Sequence, residues 1–352
     1  MNKIFHLILL ACCIVCWTSC STEVNLNAPA KEIWVVYGVL NPEDSVQYIR
    51  VANGFLPEGD ALEYAKENDL SAKGLLVNLR GANKSWEAVE TNDQPKDEPD
   101  GLFFPNTTLY KFETTGTQSL ESGETYELEI LQPGKDDFVL RSQTGIPEPS
   151  EFFIPNFTPG PGRERCLRVV DLVSEYKIEF SAGGGKAFEI RAFLDYEENF
   201  VPKTAVYGPT DLFTTNVRCQ SGATMCYQFR EKEIITAFFN DMDPQDVNVY
   251  TYAVNNQTKC SEVIDFLPDA FRFEITSMDQ NLASYQLAND PSLSAFNTVK
   301  PEFTNIEGPN GMEILGIFGS INKGRIKARL DECGEYLLHL NETPRPLDCQ
   351  EL

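Results

Sequence analysis

Short apolar runs separated by chain-turning residues constrain this chain more than any other feature. In the first half, Ile33 to Leu40, Val46 to Val51, Gly74 to Leu79, Ser85 to Val89, Thr108 to Phe112, Thr125 to Leu131 and Asp137 to Arg141 are rich in branched and aromatic residues, with Gly, Pro, Asn and Asp between them. Runs this short suit strands, whose usual length is about 5–6 residues, better than helices. Their close succession predicts a β-sandwich.

One run also predicts a face. After the turn at Gly123, the sequence Thr125-Tyr126-Glu-Leu128-Glu-Ile130 alternates with period two, which buries Tyr126, Leu128 and Ile130 together. A Tyr at the head of such a strand resembles the corner of a fibronectin type III or immunoglobulin-like sandwich, where the ring is buried and the hydroxyl bonds nearby backbone. Asp60 with Glu63 three residues later has the form of a capping box and predicts a short helix through Leu70.

The sandwich is expected over residues 32–147. A Pro/Gly-rich linker follows over 148–165, just after Pro147 and carrying Pro149, Pro155, Pro159 and Pro161, together with Phe152, Phe153, Ile154 and Phe157. Proline fixes φ and removes a donor, so the segment should be extended, and its aromatics should pack the two units together. Residues 166–352 read as a larger antiparallel β domain. Its expected strands are Glu175 to Phe180, Ala187 to Tyr196, Val247 to Val254, Phe271 to Thr276, Glu313 to Gly319, Gly324 to Leu330 and Glu335 to Leu340. Ser277 with Gln280 predicts one helix through Leu287, and Glu231 to Asn240 fits either state.

The N-terminus reads as an export leader. Lys3 precedes an apolar stretch from Ile4 to Trp17, and Thr18 and Ser19 lead into Cys20. The stretch is too short to span a bilayer, which takes about 20 apolar residues, and it fits a secretory h-region. Cys20 after small residues resembles a bacterial lipobox, although Trp17 stands where Leu is usual and Cys12, Cys13 and Cys16 lie within the stretch. This predicts a signal peptide at 1–19, lipidation at Cys20 and a polar tether over 20–31. Acyl chains contribute about 0.8 kcal/mol per buried methylene, so more than one chain holds a protein at a membrane stably.

Acidic residues outnumber basic ones 53 to 29. Such a surface repels a phosphate backbone, which argues against nucleic-acid partners. An exported chain meets oxidising conditions, so Cys166, Cys219, Cys226, Cys260, Cys333 and Cys349 are disulfide candidates. Ser221 and Gly222 can turn the chain between Cys219 and Cys226, and closing that loop stabilises by about 2–3 kcal/mol on the chain-entropy model. Cys333 with Cys349 and Cys166 with Cys260 are the favoured remainder, with the connectivity open. Zinc is disfavoured because no CxxC occurs among these six.

No motif for catalysis stands out. The only histidine beyond the leader is His339, at an expected strand position and without a GxSxG elbow. Gly183-Gly-Gly185-Lys186 lacks the first Gly and the final Ser/Thr of a phosphate loop and reads as a hairpin turn. Asp241, Asp243 and Asp246, and separately Asp93, Asp97, Glu98 and Asp100, read as solvated acidic loops, because neither set follows a calcium-loop spacing. The Gly-rich stretch from Thr304 to Ser320 predicts a bulged strand in close backbone contact. Catalytic, cofactor and metal residues are therefore assigned to none.

Asn305-Ile306 with its following glycines, Gly316-Ile-Phe-Gly319, Trp34-Val-Val-Tyr-Gly38-Val-Leu40, the Tyr126 segment and Thr144-Gly-Ile-Pro147 together resemble an uncharacterised family of Bacteroidota envelope lipoproteins, often encoded beside TonB-dependent outer-membrane receptors. The resemblance implies a lipid anchor at the outer membrane and an accessory or binding role beside such a receptor, without cofactors. Surface export in these bacteria accompanies acidic residues just after the lipidated Cys, where Glu23 stands, so the membrane face is left open. The alternatives are a carboxylate-based envelope hydrolase acting on glycans and a structural or adhesive surface protein.

Overall fold

The computed structural model describes residues 33–54, 61–94, 107–154, 166–167, 175–198, 201–213, 224–242, 251–252, 271–289, 303–330, 332–338 and 345. The chain is mainly β. In its first half β1 (Ile33–Leu40), β2 (Val46–Asn53), α1 (Ala61–Glu67), β3 (Leu76–Arg80), β4 (Ser85–Glu87), β5 (Val89–Thr91), β6 (Leu109–Glu113), β7 (Thr125–Leu131) and β8 (Val139–Gly145) follow in order. Strands β1-β2-β6-β5 form one layer and β4-β3-β7-β8 the other, an immunoglobulin-like arrangement. Alternate residues meet between the layers: Trp34 and Val36 from β1, Val77 and Leu79 from β3, Tyr110 and Phe112 from β6, and Tyr126, Leu128 and Ile130 from β7. The expected run from Ser85 to Val89 is divided. At Ala88 the chain leaves one layer for the other, so β4 and β5 belong to different sheets.

Tyr126 makes the expected corner. Its ring is 2% exposed, and its hydroxyl accepts the Glu121 N–H at 2.7 Å. Burial pushes the phenol up, against the Glu121 hydrogen bond. Tyr110 is satisfied in the same way, with its hydroxyl accepting from Leu75 N at 3.1 Å and donating to Ala72 O at 2.8 Å.

The second half begins with β9 (Phe152–Ile154) and β10 (Cys166–Leu167), followed by β11 (Glu175–Ser181), β12 (Ala187–Glu198), β13 (Val201–Phe213), β14 (Thr224–Arg230), α2 (Glu231–Asp241), β15 (Thr251–Tyr252), β16 (Phe271–Met278), α3 (Gln280–Asn289), β17 (Glu313–Leu330) and α4 (Glu332–Leu337). Strands β14-β11-β9 form a small sheet. A second core gathers Phe180 from β11, Phe188, Ile190 and Leu194 from β12, Phe229 from β14, Phe271, Phe273 and Ile275 from β16, and Ile234, Ile235 and Phe238 from α2.

One strand belongs to both cores. The first part of β17 runs parallel to β1, from Ile33 beside Glu313 to Leu40 beside Ser320. Its second part runs antiparallel to β16, from Met278 beside Ile321 to Phe271 beside Ala328. The resulting sheet has the path β13-β12-β16-β17-β1-β2-β6-β5. Phe318 and Ile306, far from the first half in sequence, pack into the first core. A boundary near residue 148 therefore does not separate two independent sheets: the sandwich over 32–147 is completed by residues after 303.

Glycines permit this crossing. Gly316 has φ +106°, and a Cβ there would lie 1.9 Å from Val36 O. At Gly324 a Cβ would lie 2.0 Å from Ser150 O. The close backbone approach expected of the Gly-rich stretch is what the structure shows.

Several expectations change. Gly183 to Gly185 do form a turn, but β11 and β12 lie in different sheets, so it is not a hairpin; Gly183 O instead accepts Glu148 N at 2.8 Å. The expected strand from Glu335 falls partly in α4, where neighbouring Leu337 and Leu338 are both buried. A half-buried strand would send such neighbours to opposite faces, whereas a helix end can bury both. Glu231 to Asn240 resolves as helix. The cap of α3 is Asp279 rather than Ser277, its Oδ1 accepting Leu282 N at 2.9 Å. Within the expected linker, 155–165 lie outside the described residues, and Phe152 packs against the second core as part of β9.

Candidate functional site

The expected chemical residues do not converge among the described residues. Asp241 Oδ2 accepts the Val206 N–H at 2.8 Å, and Asp93 faces Lys111 Nζ at 3.4 Å. Asp243, Asp246, Asp97, Glu98, Asp100 and His339 lie outside the described residues, as do Cys20, Cys219, Cys260 and Cys349. Among the described residues no group of three acidic, Cys or His side chains is placed to hold a metal. Cys226 on β14 and Cys333 on α4 are buried and disulfide-bonded, and Cys166 lies on β10 beside Arg329. The expected pairings stay proposals.

Two places gather polar side chains instead. At the junction of the halves, the chain leaving β8 crosses β16, α3 and β17. Thr144 donates to Asp279 Oδ2 at 2.7 Å, and Asp279 Oδ1 also accepts Ser320 N at 3.2 Å. Ser320 Oγ donates to Gly145 O at 2.9 Å. Asn322 Nδ2 reaches Pro147 O at 2.7 Å, and Ser150 and Ser277 share a hydrogen at 2.8 Å. All six of these side chains are buried, and each has a partner, so the cluster is a staple between halves. Beside it, Asn305 bridges Phe318, its Nδ2 donating to the carbonyl at 2.7 Å and its Oδ1 accepting the N–H at 3.0 Å.

Arg325 ties the halves electrostatically. It grips both oxygens of Glu43, at 2.5 and 2.7 Å, and reaches Glu274 at 2.7 Å. Burial works against the charge on Glu274, but Arg325 and Lys323 outweigh it and hold the carboxyl below its ordinary value.

The second place is a recess of about 300 Å³ on the outer face of the first sheet, lined by Val35, Tyr37, Arg50, Ala52, Asn53, Gly54 and Leu70. Strand pairing builds its floor. Tyr37 lies opposite Arg50 and Val35 opposite Ala52 across β1 and β2, so the side chains of both pairs share the face away from the core. Leu70 forms a wall because the chain after α1 returns to the β2 end, where Asn53 N donates to Leu70 O at 3.2 Å and Ala72 N to Val51 O at 2.9 Å. Asp69 anchors that return. Burial opposes its charge, yet hydrogen bonds from Ser71, Lys73 and Thr108 prevail and bring the carboxyl down to about 2. On the other side Tyr285 of α3 donates to the Tyr37 hydroxyl at 3.4 Å. This bond, with burial behind it, raises the Tyr285 phenol to about 12.

Arg50 sets the recess apart. Arg80, Arg141, Arg191, Arg272 and Arg325 each hold a carboxylate. Arg50 has no side-chain hydrogen bond or ion pair among the described residues, and its Nε is inaccessible and unsatisfied. Sequence reading passes over Arg50 as the outward residue of an ordinary strand. The available signal is a cation flanked on its face by Tyr and small apolar residues.

No family model matches the chain, and no curated protein matches it. Among solved structures the chain is similar to one described as "Structural insight into host cell surface retention of a 1.5-MDa bacterial ice-binding adhesin", at 8% identity and a TM-score of 0.19, covering 87% of this chain and 66% of that one.

Proposed function

We propose that the chain is a lipid-tethered binding or accessory protein of the bacterial outer membrane, anchored through Cys20, working beside a TonB-dependent receptor and catalysing nothing. The leader ending in Cys20 supports the anchor. The observation that carries the binding role is the outer-face recess with an arginine that has no partner among the described residues, because a semi-buried cation without a carboxylate is a place for a ligand rather than a stabilising feature. In this reading the rigid sheet positions the recess while the tether over 20–31 gives it reach from the membrane.

Native membranes test it. The wild-type chain should incorporate labelled palmitate, sediment with outer membranes and copurify with a TonB-dependent receptor, and Cys20→Ala should abolish the label and release the protein. A wild type that takes no label, or a Cys20→Ala protein that still sediments, removes the anchor. Purification from native membranes without any such receptor removes the accessory role.

A further inference from the structure

We infer that the recess between β1, β2 and the turn after α1 binds a small organic monocarboxylate whose apolar or aromatic body lies on Val35, Ala52 and Leu70 while its carboxylate meets Arg50. This deepens the binding role proposed above, but it requires neither the membrane anchor nor a receptor.

The orphaned cation comes first. Burying a guanidinium nitrogen without a partner is costly, and each such group in a folded protein calls for an explanation. The described residues have four other buried side-chain atoms without partners, on Ser71, Gln132, Arg191 and Glu198. Ser71 and Gln132 carry no charge, Arg191 pairs with Glu189 through its Nη2, and the Glu198 oxygen itself lies against Lys203 Nζ as an ion pair. Arg50 is charged and has no such compensation among the described residues.

Ligand class follows from what surrounds the cation. A guanidinium presents a planar fork of donors that matches a carboxylate or a phosphate. A phosphate monoester carries up to two charges at neutral pH, and the described lining of the recess offers one cation inside a strongly acidic protein whose field repels multivalent anions. One negative charge is therefore favoured. The remaining lining is mostly apolar, with Asn53 and the Tyr37 hydroxyl as further polar groups. A volume of about 300 Å³ lies at the small end for ligand sites, which suits a body the size of a single ring or a short branched chain.

Titrating benzoate into the mature chain, with backbone amide NMR as readout and benzamide as the neutral isostere, tests this directly. Benzoate should give saturable shifts confined to residues 35–37, 50–54 and 70, benzamide should bind at least about tenfold more weakly, and Arg50→Gln should weaken benzoate by about tenfold or more. Equal binding of the two probes overturns the proposal, as do benzoate affinity unchanged by Arg50→Gln and the absence of saturable shifts in those residues. The benzamide arm uses the wild-type protein, so it decides even where Arg50→Gln folds poorly. Loss of membrane anchoring in the fractionation above leaves this result untouched, so failure of one reading is distinguishable from failure of the other.

Discussion

The junction and the outer-face recess both draw polar side chains out of water, and they do it differently. At the junction Thr144, Ser150, Ser277, Asp279, Ser320 and Asn322 are buried and each has a hydrogen-bond partner. In the recess Arg50 is part-buried and has none among the described residues. Complete satisfaction marks a cluster whose work is to hold two segments in one geometry, since its loss leaves several groups stranded at once. An unpaired cation holds nothing, and removing it costs the fold little. The contrast separates architecture from binding without help from any catalytic motif.

Substitutions at the two places should therefore behave oppositely. The largest effect is expected at the crossing itself. Gly316→Ala must place a methyl group into Val36 O at a φ of +106°, so it should cost about 3 kcal/mol or more, measured as a lower urea midpoint. Asp279→Ala removes the cap of α3, strands the Ser320 N–H and leaves the Thr144 hydroxyl only its longer bond to Ser320 Oγ at 3.1 Å; a loss of about 2–4 kcal/mol is expected in the same assay. If Asp279→Ala proves neutral, the junction is not a staple.

Acid gives a smaller effect. Asp69 has its carboxyl lowered to about 2 in the folded chain, against about 3.9 when unfolded. Its contribution is then full above pH ~4 and fades as pH falls toward 2. Asp69→Asn should flatten that part of the stability profile, and an unchanged acid limb would contradict the assignment. Least of all, Arg50→Gln should leave stability within about 0.5 kcal/mol of wild type. A large loss there would mean that Arg50 has a structural partner after all.

Legibility in the sequence followed the range of the interactions. Local alternation located β1, β7 and the Tyr126 corner, because period two and a turn residue are enough to fix a face. The strand β13 went unread because Pro202 and Pro209 interrupt it; as the edge of the sheet it can spare the N–H groups that proline lacks. Glu313 to Gly319 and Gly324 to Leu330 were legible as strands, but nothing local shows that they are one strand of 18 residues with partners in both halves. That pairing is a long-range property. The recess was hidden for the same reason, since Tyr37, Arg50 and Leu70 meet only after β1 and β2 pair and α1 returns the chain.

The account rests on β17 making the two halves one cooperative unit, and the tryptophans report on it cleanly. Trp34 packs on Phe138 with ring centroids 4.5 Å apart and Trp86 on Tyr126 at 5.9 Å; both belong to the first core, and the remaining tryptophan, Trp17, lies in the leader. Phe273→Ala, placed in the second core, should destabilise by about 3–5 kcal/mol. Urea unfolding of the mature chain, followed by tryptophan fluorescence and by far-UV circular dichroism, should give coincident midpoints that Phe273→Ala lowers together. A tryptophan midpoint that stays where it is in Phe273→Ala, with the dichroism splitting into two steps, would contradict the shared strand as the link between the halves.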